Sequence, residues 1–225
     1  MAGKMTKKEL KEPDFLQVEL GMFLSFCSRY RSKLYILLGI SAVLFSGIAG
    51  WTLYKYNYQK SAITVYNEVE KDSLLSRGSG DSQKLIDGYR KVTAQYPGSN
   101  AALHALYQLG NQYLNLNQVE LSLKAYDEFL NKYKHRDELT VFAYMGKAYC
   151  YEVKKDFNKS LNSLDNTIRI PESFVFQSQI FRDMARIYEE QNLPKKSLEY
   201  YRKSLEKTHN PTMEAIIKRK IASLS

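Results

Sequence analysis

The chain has 225 residues, of which 44% are hydrophobic and 25% charged, and its formal net charge at pH 7 is +9. This composition excludes a disordered chain and allows one folded domain with accessory segments. The basic excess is spread out, with seven basic and four acidic residues in 1–33 and 26 against 20 in the remainder, without a Lys/Arg block. We therefore expect no nucleic-acid partner.

Residues 1–33 predict a cytoplasmic tail. The lysine-rich segment 1–12 is expected to be mobile. Four apolar residues then follow at spacings of three and four, which is typical of an amphipathic helix: Phe15, Val18, Met22 and Phe26. Such a juxtamembrane helix could lie on the membrane face or dock against a partner protein, and the sequence leaves both open.

Residues 34–54 form a run without charge or proline. As a helix, the run is roughly 31 Å long, which matches the hydrocarbon thickness of a bilayer. A cleaved signal peptide has a shorter apolar core nearer the N-terminus, and a buried core helix is not needed by the remaining chain, which has a pattern of its own. An aromatic cluster at the end of the run suits a headgroup interface: Trp51, Tyr54, Tyr56 and Tyr58. The run therefore predicts a single transmembrane helix in contact with the lipid bilayer.

Flanking charge predicts the orientation of this helix. Arg29, Arg31 and Lys33 precede the run, whereas Lys55 and Lys60 follow it. Because cytoplasmic flanks carry the excess of Lys and Arg, the N-terminus is expected in the cytoplasm. The predicted localisation is the bacterial inner membrane, single-pass, with residues 55–225 in the periplasm.

Three small residues, Ala42, Ser46 and Gly50, are spaced four apart within the run. They share one helical face, as in small-xxx-small packing surfaces, and predict a transmembrane contact face. The two cysteines, Cys27 and Cys150, flank the run on opposite sides, so no disulfide is expected. Lipidation of Cys27 is excluded because its apolar run follows the cysteine instead of preceding it.

A pattern of large, small and aromatic residues recurs three times in residues 55–225. Each unit reads large-x-x-large-small-x-x-Tyr, a short polar turn and then small-x-x-x-large. The paired small residues are Gly110 and Ser122, Gly146 and Ser160, and Ala185 and Ser197. Their separations of 12, 14 and 12 residues predict a turn two residues longer in the middle unit. Small residues let two helices approach closely, so each unit predicts a helical hairpin.

The ends of the repetitive region complete the predicted fold. Leu85, Tyr89, Val92 and Pro97 belong to the second half of an earlier unit, whose first helix is expected within about residues 58–77. Residues 211–224 place apolar side chains on one side and predict a capping helix. The predicted fold class is all-α: a single N-terminal transmembrane helix, then an α-solenoid of about four divergent hairpins and a C-terminal capping helix.

This skeleton resembles the tetratricopeptide repeat, a hairpin of two helices, over roughly residues 60–208. The resemblance implies a peptide-binding groove lined by the fifth and ninth residues of each unit. The corresponding residues are Tyr107, Asn111, Ala143, Lys147, Arg182 and Arg186. Lys147, Arg182 and Arg186 would make one end of the groove basic, which suits an acidic segment or a peptide carboxylate.

Nothing in the sequence indicates catalysis. The three histidines, His104, His135 and His209, lie in different units without the spacing of a metal site. A glycine-rich phosphate loop and a nucleophile elbow are both absent from the sequence. We expect a non-enzymatic protein without cofactor, metal or small-molecule substrate, whose partners are proteins.

The architecture as a whole, with a short tail, one anchor ending in Gly50-Trp51 and a short repeat array, is similar to the ancillary subunit family of the bacterial Sec translocon. This resemblance implies an inner-membrane adaptor in protein translocation, which helps to hand emerging chains to periplasmic chaperones and contacts an integral membrane complex. Two alternatives remain open: a scaffold of another envelope complex, such as cell-wall, pilus or motility machinery, and an organelle import or fission receptor with cytosolic repeats.

Overall fold

The computed structural model describes residues 15–75, 82–133, 135 and 137–224, whose elements are all helical. The predicted mobile tail, residues 1–12, lies outside the described residues. The chain divides into two units, Met1–Asn57 and Tyr58–Ser225.

The first unit contains helix α1 (Phe15–Arg29) and the beginning of helix α2 (Arg31–Leu75). Within the described part of the chain, one helical stretch, Arg31–Asp72, is long and apolar enough to cross a membrane by length and composition. None of its most apolar window is buried. The side chains of Phe45 and Val43, for example, are 74% and 72% exposed.

The second unit is an array of antiparallel helices. The end of α2 packs on α3, where the methyl groups of Val69 lie against Gly88. Three further hairpins follow, and a short 3₁₀ helix, Pro171–Phe176, connects the last two of them. The helices are α3 (Ser82–Gln95), α4 (Asn100–Asn115), α5 (Val119–Lys132), α6 (Glu138–Val153), α7 (Phe157–Ile168), α8 (Gln177–Glu190), α9 (Pro194–Lys207) and α10 (Pro211–Leu224).

The turns inside the three complete hairpins have the same length and the same geometry. In each turn one residue adopts a left-handed conformation: Asn117 (φ 57°), Lys155 (φ 58°) and Asn192 (φ 56°). The next amide donates to the carbonyl five residues earlier, as from Asp156 N to Tyr151 O at 2.8 Å. This is the Schellman ending of a helix, which closes its last free carbonyls. The prediction of a longer middle turn is therefore wrong.

Serine hydrogen bonds show the true register of the repeat. The hydroxyl of Ser122 donates to Gly110 O at 2.7 Å, and that of Ser160 donates to Ala148 O at 2.7 Å. The residue equivalent to Gly110 is thus Ala148 and not Gly146. The spacings from Gly110 to Ala148 and on to Ala185 become 38 and 37 residues, in place of the uneven 36 and 39.

Position 146 requires a small residue for a different reason. The ring of Tyr126 is buried between Gly110 and Gly146, and a Cβ on either glycine would lie 2.5 Å from that ring. Both glycines therefore admit the same aromatic side chain, one from α4 and the other from α6. Sequence spacing cannot distinguish this contact between hairpins from the contact within a hairpin.

The last helix, α10, closes one end of the core. Ile217 is fully buried with Ala185 of α8 and Tyr201 of α9. Glu189 adds a polar link, because its carboxylate accepts from Tyr201 Oη at 3.0 Å and from Lys220 Nζ at 2.8 Å. The lysine lowers the pKa of Glu189, so this link is an ion pair at neutral pH.

Candidate protein-binding cleft

A cleft of about 310 Å³ lies between α6, α7 and α8. The helices α6 and α8 are the first helices of successive hairpins, and they present one face each to the cleft. Its lining includes Met145, Tyr149, Glu152, Gln179, Asp183 and Arg186. The ring of Tyr149 is 50% exposed, so an aromatic surface is accessible beside charged and amide groups.

Arg186 stands between two carboxylates in this cleft. Its guanidinium binds Glu152 of α6, and its second terminal nitrogen lies 3.7 Å from Asp183. Burial raises the pKa of Asp183 to about 6, although Arg182 opposes the shift. Because an uncharged Asp183 is favoured only below that pH, the carboxylate is ionised and partly desolvated at neutral pH.

The corrected register changes the predicted groove residues of the middle hairpin. Ala143 is fully buried, and Lys147 is 17% exposed with its ammonium paired to Asp127. The residues equivalent to Tyr107 and Asn111 are instead Met145 and Tyr149, at the 38-residue offset. We therefore replace Ala143 and Lys147 by Met145 and Tyr149 as the groove positions of this hairpin.

The predicted residues of the second hairpin are bound into the array itself. The Tyr107 ring lies 6.1 Å from that of Tyr126 and 6.0 Å from that of Phe129, measured between centroids. Asn111 Oδ1 accepts from Tyr126 Oη at 2.6 Å, and its amide donates to Gln108 Oε1 at 3.1 Å. Both side chains are half-buried, so each offers only part of its surface to a ligand.

The predicted basic end of the groove carries both signs of charge. Arg182 Nη1 lies 2.9 Å from Met213 Sδ, whereas Lys147 and Arg186 contact carboxylates. The attraction for an acidic ligand is thereby reduced, because an incoming carboxylate must compete with Asp127 and Glu152. The cleft fits a segment of mixed polarity better than a strongly acidic one.

The predicted transmembrane contact face belongs to the first unit. Ala42, Ser46 and Gly50 are all exposed, and a Cβ added to Gly50 would meet no atom within 4 Å. The face is accessible for another helix, and its use as a contact stays a prediction.

Sequence reasoning missed Tyr149, Glu152 and Asp183 as residues of this cleft, and the turn geometry shows which alignment of the units includes Tyr149. Each left-handed turn residue precedes its serine by five positions, as Lys155 precedes Ser160. Alignment on the turn and the second small residue puts Tyr149 at a predicted groove position. Alignment on the first small residue instead selected Gly146, which serves the neighbouring hairpin.

Paired helices, a shared turn and small residues at the hairpin contact define a helical-repeat scaffold. A family model described as a tetratricopeptide repeat-like domain matches residues 25–225, and the chain belongs to this family. Such arrays are typically non-catalytic and bind protein partners. Among the described residues, no group of three or more His, Cys, Asp or Glu is placed to hold a metal ion.

Solved structures with the same fold have low sequence identity to this chain. A crystal structure of MamA is 17% identical, covers 66% of this chain and 80% of its own, and gives a TM-score of 0.54. PilF of Pseudomonas aeruginosa is 16% identical, covers 73% of this chain and 69% of its own, and gives a TM-score of 0.56. MamA from Desulfovibrio magneticus RS-1 is 15% identical, with 72% and 88% covered and a TM-score of 0.52. A search of curated proteins found no match.

Proposed function

We propose that the protein is a membrane-anchored adaptor whose repeat array holds a protein partner on the periplasmic face of the bacterial inner membrane. The observation that carries this proposal is the exposed apolar stretch of α2, since no described side chain of its most apolar window is buried. Exposing so much apolar surface to water is unfavourable, whereas a bilayer would cover residues 34–54.

The orientation follows from Arg29, Arg31 and Lys33, which precede the apolar stretch, and it directs the array away from the cytoplasm. The resemblance to ancillary Sec subunits supports a role beside the secretion channel, in handing emerging chains to periplasmic chaperones. The contact face Ala42, Ser46 and Gly50 would pack on a helix of an integral membrane complex. The experiment below distinguishes this role from the two alternatives, a scaffold of another envelope complex and an organelle import or fission receptor.

The cleft between α6 and α8 is the proposed site for a partner segment. Tyr149 supplies an accessible ring, Gln179 supplies amide donors and acceptors, and Arg186 supplies a cation that is already oriented by Glu152. Aromatic and arginine side chains of this kind carry most of the energy at many interfaces. Tyr107, Asn111 and Arg182 would extend the contact along the array.

The proposal is tested by purifying the full chain from membranes in mild detergent and identifying its partners by mass spectrometry. A photoreactive amino acid at Tyr149 should crosslink to a periplasmic or translocon-associated protein. A reporter fused after Ser225 should report an extracytoplasmic location. The variant Ala42→Leu/Ser46→Leu should lose an integral membrane partner but keep the crosslink at Tyr149.

Val43→Leu serves as a matched control, since it changes an exposed apolar residue outside the small-residue face. A reporter that stays in the cytoplasm would overturn the topology and favour the organelle receptor. Partners from the cell-wall, pilus or motility machinery, without translocon components, would overturn the Sec assignment and support the scaffold alternative.

A further inference from the structure

We infer that α1 is embedded in the cytoplasmic leaflet, where Arg29, Arg31 and Lys33 bind the phosphate groups of anionic phospholipids. This inference rests on the proposed membrane anchoring by α2. It gives α1 one partner, an anionic lipid surface, and makes the first unit a lipid-recognising element as well as an anchor.

Apolar side chains cover most of the circumference of α1. Successive helical residues are rotated by about 100°, so Leu20 and Leu24 point away from the face formed by Val18, Met22 and Phe26. The exposed fractions of the apolar side chains are large: Leu20 57%, Met22 60%, Phe23 65%, Leu24 61% and Phe26 55%. A helix on the water surface of a membrane needs one polar face, whereas this distribution favours immersion.

The hydroxyl of Ser25 and the backbone at the end of α1 are bonded within the helix, as an apolar medium requires. Ser25 Oγ donates to Met22 O at 2.8 Å, so this hydroxyl needs no water partner. The backbone stays bonded through the junction with α2, from Tyr30 N to Phe26 O at 3.0 Å and from Leu34 N to Tyr30 O at 2.9 Å. Immersion of α1 therefore leaves these groups bonded.

The cations lie at the junction between the two apolar helices, together with an interfacial aromatic ring. Lys33 Nζ lies 5.7 Å from the centroid of the Tyr30 ring, which itself lies 4.9 Å from the Phe26 ring. Glu19 is the single acidic residue between positions 15 and 33. Three cations beside one tyrosine match the headgroup level of an anionic leaflet, where each Lys or Arg adds attraction.

The length of α1 limits how it can be immersed. Its 15 residues span about 22 Å, which is too short to cross a hydrocarbon core of about 30 Å. A second transmembrane helix is thus excluded for this segment. One leaflet can cover its apolar surface while the cations stay at the phosphates.

The test places an environment-sensitive fluorophore on the full chain in lipid vesicles. Cys27→Ala/Cys150→Ala removes both native thiols, and Phe23→Cys or Phe45→Cys then provides one labelling site in α1 or in the anchor. Vesicles of phosphatidylcholine with phosphatidylglycerol are compared with phosphatidylcholine alone, and brominated lipids act as quenchers. We expect the fluorophore at position 45 to be quenched in both kinds of vesicle. The fluorophore at position 23 should be quenched chiefly in the vesicles that contain phosphatidylglycerol.

A charge variant tests the role of the cations. Each cation near an anionic surface strengthens binding several-fold. The ratio of lipid-embedded to water-exposed fluorophore at position 23 should therefore fall by about tenfold or more in the triple variant Arg29→Gln/Arg31→Gln/Lys33→Gln. Lys195→Gln/Lys196→Gln/Arg202→Gln removes three exposed cations of α9 and should leave that ratio unchanged.

Quenching at 45 with none at 23 would overturn this inference and leave the proposed anchoring intact. No quenching at either site would overturn the anchoring itself. A fluorophore at 23 that is shielded in native membranes but unquenched in vesicles would identify a protein partner for α1 instead of lipid. Quenching at 23 that ignores both lipid charge and the three cations would overturn the phosphate recognition.

Discussion

Two hairpins with the same spacing of small residues differ in the contact between their helices. They are the second hairpin, α4 and α5, and the fourth hairpin, α8 and α9. Ser122 in the second hairpin bonds to the carbonyl of Gly110, whereas the equivalent Ser197 is buried without a hydrogen-bond partner among the described residues. Ala185 in α8 occupies the position of Gly110. The same residue spacing therefore occurs with a buried serine hydrogen bond in one hairpin and without it in the other.

The two hairpins also differ in the surroundings of their equivalent tyrosines. Tyr126 is covered by Gly146 of the next hairpin and donates to the neutral Asn111. The equivalent Tyr201 donates to Glu189, which also binds Lys220 of α10. The tyrosine of a repeat followed by another repeat thus bonds to a neutral amide, whereas that of the last repeat bonds to a carboxylate paired with a lysine of α10. Four substitutions and one control variant test this comparison.

The largest effect is expected for Gly110→Ala. The new Cβ would lie 2.5 Å from Tyr126 Cε1, and the ring cannot move away because Gly146 borders its other side. Overpacking of a rigid core costs about 1–3 kcal/mol, so we expect a loss of about 2 kcal/mol in the free energy of unfolding. Urea titration of the full chain in mild detergent, followed by circular dichroism, measures it.

Gly98→Ala is the matched control, since nothing lies within 4 Å of a Cβ at this position. It should change the free energy of unfolding by less than about 0.5 kcal/mol. A Gly110→Ala variant as stable as the control would show that Tyr126 is not confined between the two glycines.

The serine pair gives the next largest contrast. Ser122→Ala removes a buried donor to Gly110 O and also frees the Sγ of Cys150, which lies 3.2 Å from the serine hydroxyl. We expect it to cost about 1–2 kcal/mol. Ser197→Ala removes a buried hydroxyl that has no partner and should be neutral or slightly stabilising. Equal losses in the two variants, measured by the same titration, would refute the proposed difference between the hairpins.

Much of the difference between the two hairpins cannot be predicted from the sequence. The helical hairpins and an all-helical chain could be predicted, because apolar spacing, small residues and polar turns are local signals. The register of the middle hairpin could not, since Gly146 contacts Tyr126 across a hairpin boundary. In α1, by contrast, the sequence itself places Leu20 and Leu24 on the side opposite to Val18, Met22 and Phe26, once the helical rotation is applied to every apolar residue.

The candidate cleft shows the same limit. The repeat positions predict Arg182 and Arg186, and Asp183 is a local neighbour of both. Glu152 could not be predicted, since it reaches Arg186 from another helix 34 positions earlier. Tyr149 was missed through the register error alone. Local patterns thus located the helices, whereas the charge balance of the cleft depends on contacts between them.

The smallest effect is expected for Asp183→Asn, at the position where the second hairpin has the neutral Gln108. Burial raises the pKa of Asp183 to about 6 from its usual 3.8, so the folded state binds the proton more tightly than the unfolded state. The stability of the unmodified chain should then fall as pH rises from about 4 to 6. The variant lacks this loss, which a shift of about two pKa units limits to about 3 kcal/mol. Because the side chain of Asp183 is 25% exposed and the variant also loses its contact with Arg186, we expect a net gain above about pH 7 of only about 1 kcal/mol. Urea titrations across this pH range measure the difference, which should vanish below about pH 4; a difference independent of pH would show that the charge of Asp183 is not its cause.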